Sequence, residues 1–244
     1  MRREMEENCP KGRKWVEGMI GIIIQARLGS TRLPRKVLLP IAGKPIIAHI
    51  VDRCLETGFP VVLAVPDGEE PEYVACLLRQ KENPNFHIFG GHPTDVLDRY
   101  YEVAKAFNFD PIVRITGDCP LVDPNMIKAM VKYFDENAEG CYCSNCHPIR
   151  TVPKGMDIEV FSFAELERAW NKTNDYQKAP SLATSKIYYC LREHVTKFFY
   201  HYHPEDCLTY SPPFPDSWST SIDTQEDYER VKAMVEEGKY PWQN

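Results

Sequence analysis

The sequence predicts an α/β fold: a mostly parallel sheet with helices on both faces. Three observations predict it. Short apolar, β-branched runs recur at 20–24, 61–65, 86–89 and 112–115. Segments of helical spacing lie between them, at 45–55, 71–78 and 96–107. The alternation of the two is the strand–helix repetition that builds a parallel sheet. In such sheets ligands bind outside the carboxyl ends of the strands.

Each element has a local reason. Residues 20–24 (IGIII) read as a buried strand. Pro45 suits the first turn of a helix, and Thr94 or Asp95 suits the N-cap of the helix over 96–107. After 112–115 comes the loop TGDCPLVDP, then a helix over 124–134. Residues 156–161 (MDIEVF) alternate as a strand, and 163–171 form a helix capped by Ser162. The stretches 172–190 and 203–217, rich in Tyr, Pro, Lys and Ser, read as irregular or as an excursion from the sheet. Residues 218–222 read as a strand, and 224–236 as a final helix capped by Thr224. Residues 1–18 are polar, without the apolar core of a signal peptide, and read as a disordered extension ahead of one folded unit over 19–244.

Composition limits the partners. The 244 residues are 43% hydrophobic and carry a net charge of −6, which argues against a nucleic acid or an anionic membrane as the main partner. No apolar run approaches the roughly 20 residues a membrane helix needs, and a cytoplasmic location is expected. In a reducing compartment the nine cysteines are expected to be mostly free thiols. The cluster Cys141, Cys143, Cys146, His147 invites a zinc reading, but its spacing is cramped and no second pair follows. The competing expectation is an alternating strand with Tyr142 and Ser144 on its other face.

Against this acidic background, QARLGSTRLPRK (25–36) stands out. Arg27, Arg32, Arg35 and Lys36 sit among Gly29, Ser30 and Thr31 with no acid, directly after the first strand. Such a loop can present N–H groups and cations to an anion, and a polyphosphate is the natural ligand. It is neither a G-x-x-x-x-G-K-[ST] loop nor a G-x-G-x-x-G turn.

R-x-G-S-x-R-x-P-x-K after a first strand resembles the signature of the sugar cytidylyltransferases, the enzymes that activate acylneuraminate and 3-deoxy-manno-octulosonate. The similarity extends to the spore-coat polysaccharide cytidylyltransferase branch through IAGKPIIAHIVDR (41–53), DVLDRYYEVAK (95–105), VRITGDCPLVDP (113–124), GMDIEVFSFAELERAW (155–170), REHVT (192–196) and SIDTQEDYERV (221–231), in that order. The resemblance implies a Rossmann-like nucleotidyltransferase fold, a homodimer built by an excursion within about 150–200, and Mg²⁺-dependent transfer of CMP from CTP to an acceptor with release of pyrophosphate.

It also implies site residues. Arg27, Gly29, Ser30, Arg32 and Lys36 hold the triphosphate, and many relatives have Gly at the position of Arg35. Asp118 and Asp223, on the order of 100 residues apart, ligate the metal. Asp95 and Arg99 lie near the base. Asp157 and Glu159 contact acceptor or metal, as alternation places both on one strand face, and His194 contacts the acceptor. The stretches 171–190 and 205–218 look longer than in relatives, which leaves the acceptor open: a 2-keto sugar acid, or a phosphorylated sugar, polyol or acid. CTP over UTP is also open. Two other readings compete: a glycosyltransferase of related fold with Asp157-x-Glu159 as its metal motif, and a nucleotide-binding protein without catalysis.

Overall fold

The computed structural model describes residues 18–137, 142–177, 182–212 and 219–238. The chain opens with β1 (Met19–Gln25) and a short hairpin, β2 (Pro40–Ile41) and β3 (Lys44–Pro45). It then runs α1 (Ile46–Leu55), β4 (Val61–Pro66), α2 (Glu70–Cys76), β5 (Phe86–Gly91), α3 (Val96–Phe107), β6 (Phe109–Thr116) and α4 (Pro124–Glu136). β7 (Tyr142–Ser144), β8 (Glu159–Phe161), α5 (Phe163–Gln177), α6 (Leu182–Glu193), α7 (Lys197–Tyr202), β9 (Cys207–Thr209) and α8 (Gln225–Glu236) follow.

Seven strands form one sheet in the order β5-β4-β1-β6-β8-β7-β9. β1 pairs in parallel with β4 and β6, and β5 adds in parallel beyond β4. β8 joins antiparallel to β6 and to β7, and β9 runs parallel to β7. The chain steps from β1 outward to β4 and β5, then returns to the opposite side of β1 for β6. The winding reverses between β1 and β6, so the loops leaving these two strands open a crevice at their carboxyl ends.

Alternation gives the sheet two apolar faces. Ile22, Ile24, Leu63, Val65, Val113 and Ile115 pack in one cluster with residues of α1, α4 and α8. Ile23, Val62, Ala64 and Ile112 pack in the other with α3 and the α5–α7 excursion. Caps fix the helix starts. Asp95 accepts from the Asp98 N–H at 2.9 Å, Asp123 caps α4 ahead of Pro124, Ser162 accepts from the Glu165 N–H, and Thr224 and Asp227 form a capping box.

The second half departs from the sequence expectations. α5 runs to Gln177 and α6 fills much of the stretch expected to be irregular. Their helical face is partly polar: Thr173 returns its hydroxyl to Ala169 O at 2.7 Å, and Arg192 is buried in an ion pair. β9 appears within 203–217 because it pairs with β7. The expected strand over 156–161 shortens to Glu159–Phe161, since the Ile158 N–H is taken by Asn145 Oδ1. Residues 219–222 do not join the sheet. Their N–H groups go to loop carbonyls instead: Thr220 and Ser221 to Lys154 O, and Ile222 to Asp118 O. Trp218, Cys141 and residues 1–17 lie outside the described residues. Of the zinc cluster, Cys143 packs into the core and Cys146 Sγ lies 3.3 Å from Ser144 Oγ, while Cys146, His147 and Glu159 bring ligand atoms within 4.8 Å of one another. The seven described cysteines are free thiols.

Candidate active site

The crevice holds a cavity of about 410 Å³. Its first wall is the loop after β1. That loop folds on itself, with the Ser30 and Arg35 N–H groups donating to Leu28 O, and the Leu28 N–H is anchored by Glu69 Oε2 at 2.8 Å. Arg35 takes the left-handed conformation (φ 54°), which glycine adopts without strain. The turn at Arg35 brings Lys36 back beneath the loop.

The second wall is the loop after β6, pressed against the first. The Gly117 N–H donates to Gln25 O at 2.8 Å, and a Cβ on Gly117 would meet Ala26 Cβ and Gln25 O at 3.0 Å. Glycine therefore permits the approach that sets Asp118 opposite Lys36. Thr116 Oγ1 donates to Asp118 Oδ1 at 2.6 Å and fixes its rotamer. The third wall is the extended segment 219–223. Gly155 (φ 100°) lies so close that its Cβ would meet Ser221 N at 2.1 Å, and this docking delivers Asp223.

These walls meet at one atom. Lys36 Nζ donates to Asp118 Oδ2 at 3.3 Å, Asp223 Oδ1 at 2.9 Å and Ile222 O at 2.6 Å. Asp223 also faces Arg32 at 3.2 Å and Lys154 at 2.9 Å. Burial alone would raise the Asp223 carboxyl, but hydrogen bonds and charge from Lys154 and Lys36 outweigh it and hold its pKa down to about 2. Two carboxylates converging within 3.3 Å of one cationic nitrogen form a hard, oxygen-only donor set that fits Mg²⁺, which is bound through one or two carboxylates and substrate phosphates.

Of the residues singled out in the sequence, the crevice gathers Arg27, Gly29, Ser30, Arg32, Lys36, Arg99, Asp118, Asp223 and His194. Arg27 lies 3.7 Å from Glu193 at the end of α6. Arg99 lines the cavity while only 2% exposed, and its Nε, buried, has no hydrogen-bond partner among the described residues. His194 follows α6. Its burial, with Lys197, Arg114 and Arg27 nearby, lowers its pKa against the opposing pull of Glu193, which favours the neutral ring.

Three of the singled-out residues stand elsewhere. Asp95 spends its carboxylate capping α3 and pairing with Arg192, whose Nε donates at 2.6 Å, so it is not free to meet a base. Asp157 precedes β8 and is held by both Nη atoms of Arg150 at 2.6 and 3.0 Å. Glu159 is 1% exposed and bound by Arg114 and Tyr142. The D-x-E pair thus does not assemble a metal motif. Lys154, Thr116 and Arg114 stand out here although the sequence does not single them out. Arg114 had a signal, a cation inside a buried strand. Lys154 had none, because its place depends on the docking of 219–223.

A cytidylyltransferase family model matches residues 21–238. The spore coat polysaccharide biosynthesis protein SpsF of Bacillus subtilis is 30% identical over 230 residues, covering 88% of this chain and 85% of that protein. A cytidylyltransferase structure from Leptospira borgpetersenii is 32% identical with a TM-score of 0.76, covering 90% of this chain and 87% of that one. The structure of CMP:2-keto-3-deoxy-manno-octonic acid synthetase complexed with CTP shares the fold at 18% identity and a TM-score of 0.59, covering 90% and 99%. With the basic loop, both converging carboxylates and nearly every described strand inside the matched span, the chain belongs to the cytidylyltransferase family.

Proposed function

We propose that this protein transfers the cytidylyl group of CTP to a small sugar, sugar acid or phosphorylated acceptor, releasing pyrophosphate, in polysaccharide or glycoconjugate biosynthesis. One observation carries the reading: Lys36 of the basic loop touches Asp118 and Asp223, three segments remote in sequence meeting at one point. Nucleotidyl transfer needs this combination, cations for a triphosphate beside hard ligands for a divalent ion.

In this reading Arg27, Ser30, Arg32 and Lys36 bind and orient the β- and γ-phosphates. Lys36 and Arg27 donate to the oxygens on which charge grows as pyrophosphate leaves. Asp118 and Asp223 hold Mg²⁺, which when bound neutralises charge on the phosphates. Arg99, which lines the cavity, stands beside the cytosine base. Neutral His194 orients the acceptor in line with the α-phosphorus. The partner is a second copy of the chain, supported by Ile187 and Tyr189 of α6, which stand 47% and 68% exposed. A cytoplasmic location is proposed with it. No helix among the described residues is long and apolar enough to cross a membrane.

Pyrophosphate release tests the function. Each of the four NTPs is mixed with Mg²⁺ and a panel of 2-keto sugar acids and phosphorylated sugars, polyols and acids. Release with CTP and one acceptor class is expected. Equal use of purine nucleotides would sink the base assignment, and release without any acceptor would mark a hydrolase.

A further inference from the structure

Most charged groups that line the crevice are paired with one another. Lys36 bridges both carboxylates at 3.3 and 2.9 Å. Arg32 and Lys154 add to Asp223, and Arg27 leans on Glu193. We propose that the Lys36 ammonium holds the metal's place in the free protein, so that divalent cation and triphosphate enter only together, as one chelate. This inference rests on the cytidylyltransfer reading of the same site.

Each ligand meets an obstacle when it comes alone. A divalent ion alone finds an ammonium within 3.3 Å of both oxygens it needs. Expelling that ammonium breaks three donated bonds, on a side chain only 14% exposed and therefore poorly served by water. A triphosphate alone can attract Lys36 only by stripping Asp118 of its cation and leaving Asp223 to Arg32 and Lys154, with both carboxylates close to the incoming phosphates. When the chelate arrives, both losses are made good at once. The carboxylates pass to the metal and the ammonium to the phosphates. A lysine suits such an exchange, because its flexible stem carries a compact charge without the fixed fork of an arginine. Arg27 can follow the same path from Glu193 to phosphate. The coupling is reciprocal: the factor by which CTP raises metal affinity equals the factor by which metal raises CTP affinity.

Mn²⁺ serves as the probe, followed by water-proton relaxation, which separates protein-bound Mn²⁺ from Mn²⁺·CTP free in solution. The wild-type protein is titrated with Mn²⁺ alone and with CTP, without acceptor. Binding at least about tenfold weaker without CTP is expected. Lys36→Met, which keeps the stem and removes the charge, is expected to bind Mn²⁺ alone about tenfold more tightly than wild type. Adding Asp118→Asn to that variant should abolish the gain. Tight binding of Mn²⁺ by the CTP-free wild type overturns the proposal and needs no variant. So does an unchanged affinity in a folded Lys36→Met protein, or a gain that survives loss of Asp118. Failure of Mn²⁺ and CTP to bind even together would instead overturn the cytidylyltransfer reading.

Discussion

Asp223→Asn probes the crevice without knowledge of the acceptor. The carboxylate meets Lys36 and Lys154 at 2.9 Å each and Arg32 at 3.2 Å, and its side chain is 14% exposed. Its pKa is held at about 2 because two lysines outweigh the cost of burial. An aspartate in the unfolded chain titrates near 4. The folded value is the lower one, so the pairing stabilises the fold above about pH 4 and the contribution fades as pH falls toward 2. That gap corresponds to about 2.5 kcal/mol at neutral pH. Arg32 and Lys154 are more than half exposed, so screening reduces it, and a range of about 1–2 kcal/mol is expected. Urea unfolding of wild type and variant at pH 7, 5 and 3 measures it. The difference should hold between pH 7 and 5 and shrink to about half at pH 3. A difference that stays flat with pH, or grows as the solution is acidified, would refute the reasoning.

Asp118→Asn should lower turnover at least about a hundredfold while barely moving the melting temperature, because its carboxylate has one lysine at 3.3 Å where Asp223 has two at 2.9 Å; a near-normal rate would remove it from the metal site. Lys36→Ala should cost about 10²–10³ in kcat, and Arg27→Ala less, since Arg27 is 57% exposed and its contribution fades with salt. A loss confined to KM in both variants at low and moderate NaCl would make the loop a docking patch. Arg35→Gly should raise stability by up to about 1 kcal/mol in thermal unfolding, by relieving a left-handed backbone, and should leave CTP affinity unchanged. Weaker CTP binding in that variant would give Arg35 a role at the phosphates.

The fold was legible where local patterns decide it. The apolar runs of β1, β4, β5 and β6 and the periodic faces of α1, α3 and α4 are signals of period 2 and 3.6 that need no distant partner. The loop after β1 was legible through its charge, and Asp118 through a turn ending a buried strand. What was hidden depends on contacts remote in sequence. α6 looks polar, yet its Arg192 is buried against Asp95 at the start of α3. Asp157 and Glu159 look like one face of a long strand, yet the strand begins only at Glu159. Asp95 looks available to a ligand until α6 folds across it. In each case a side chain or N–H chose a partner that no window of sequence contains.

The docking of 219–223 across the Lys154–Gly155 turn has a consequence for the order of events at the ribosome. The sheet strands, the basic loop and Asp118 are all made before Asp223, which follows Asp118 by roughly 5–20 s at ordinary elongation rates. Throughout that interval Lys36 can reach one carboxylate and lacks the carbonyl of Ile222 as well. A newborn chain thus carries the cations of the loop after β1 before it carries the carboxylate that pairs with Lys36 and Arg32. Arrival of the last segment adds that carboxylate and the Ile222 carbonyl together, so the same five residues close the third wall of the crevice and complete the pairing of Lys36.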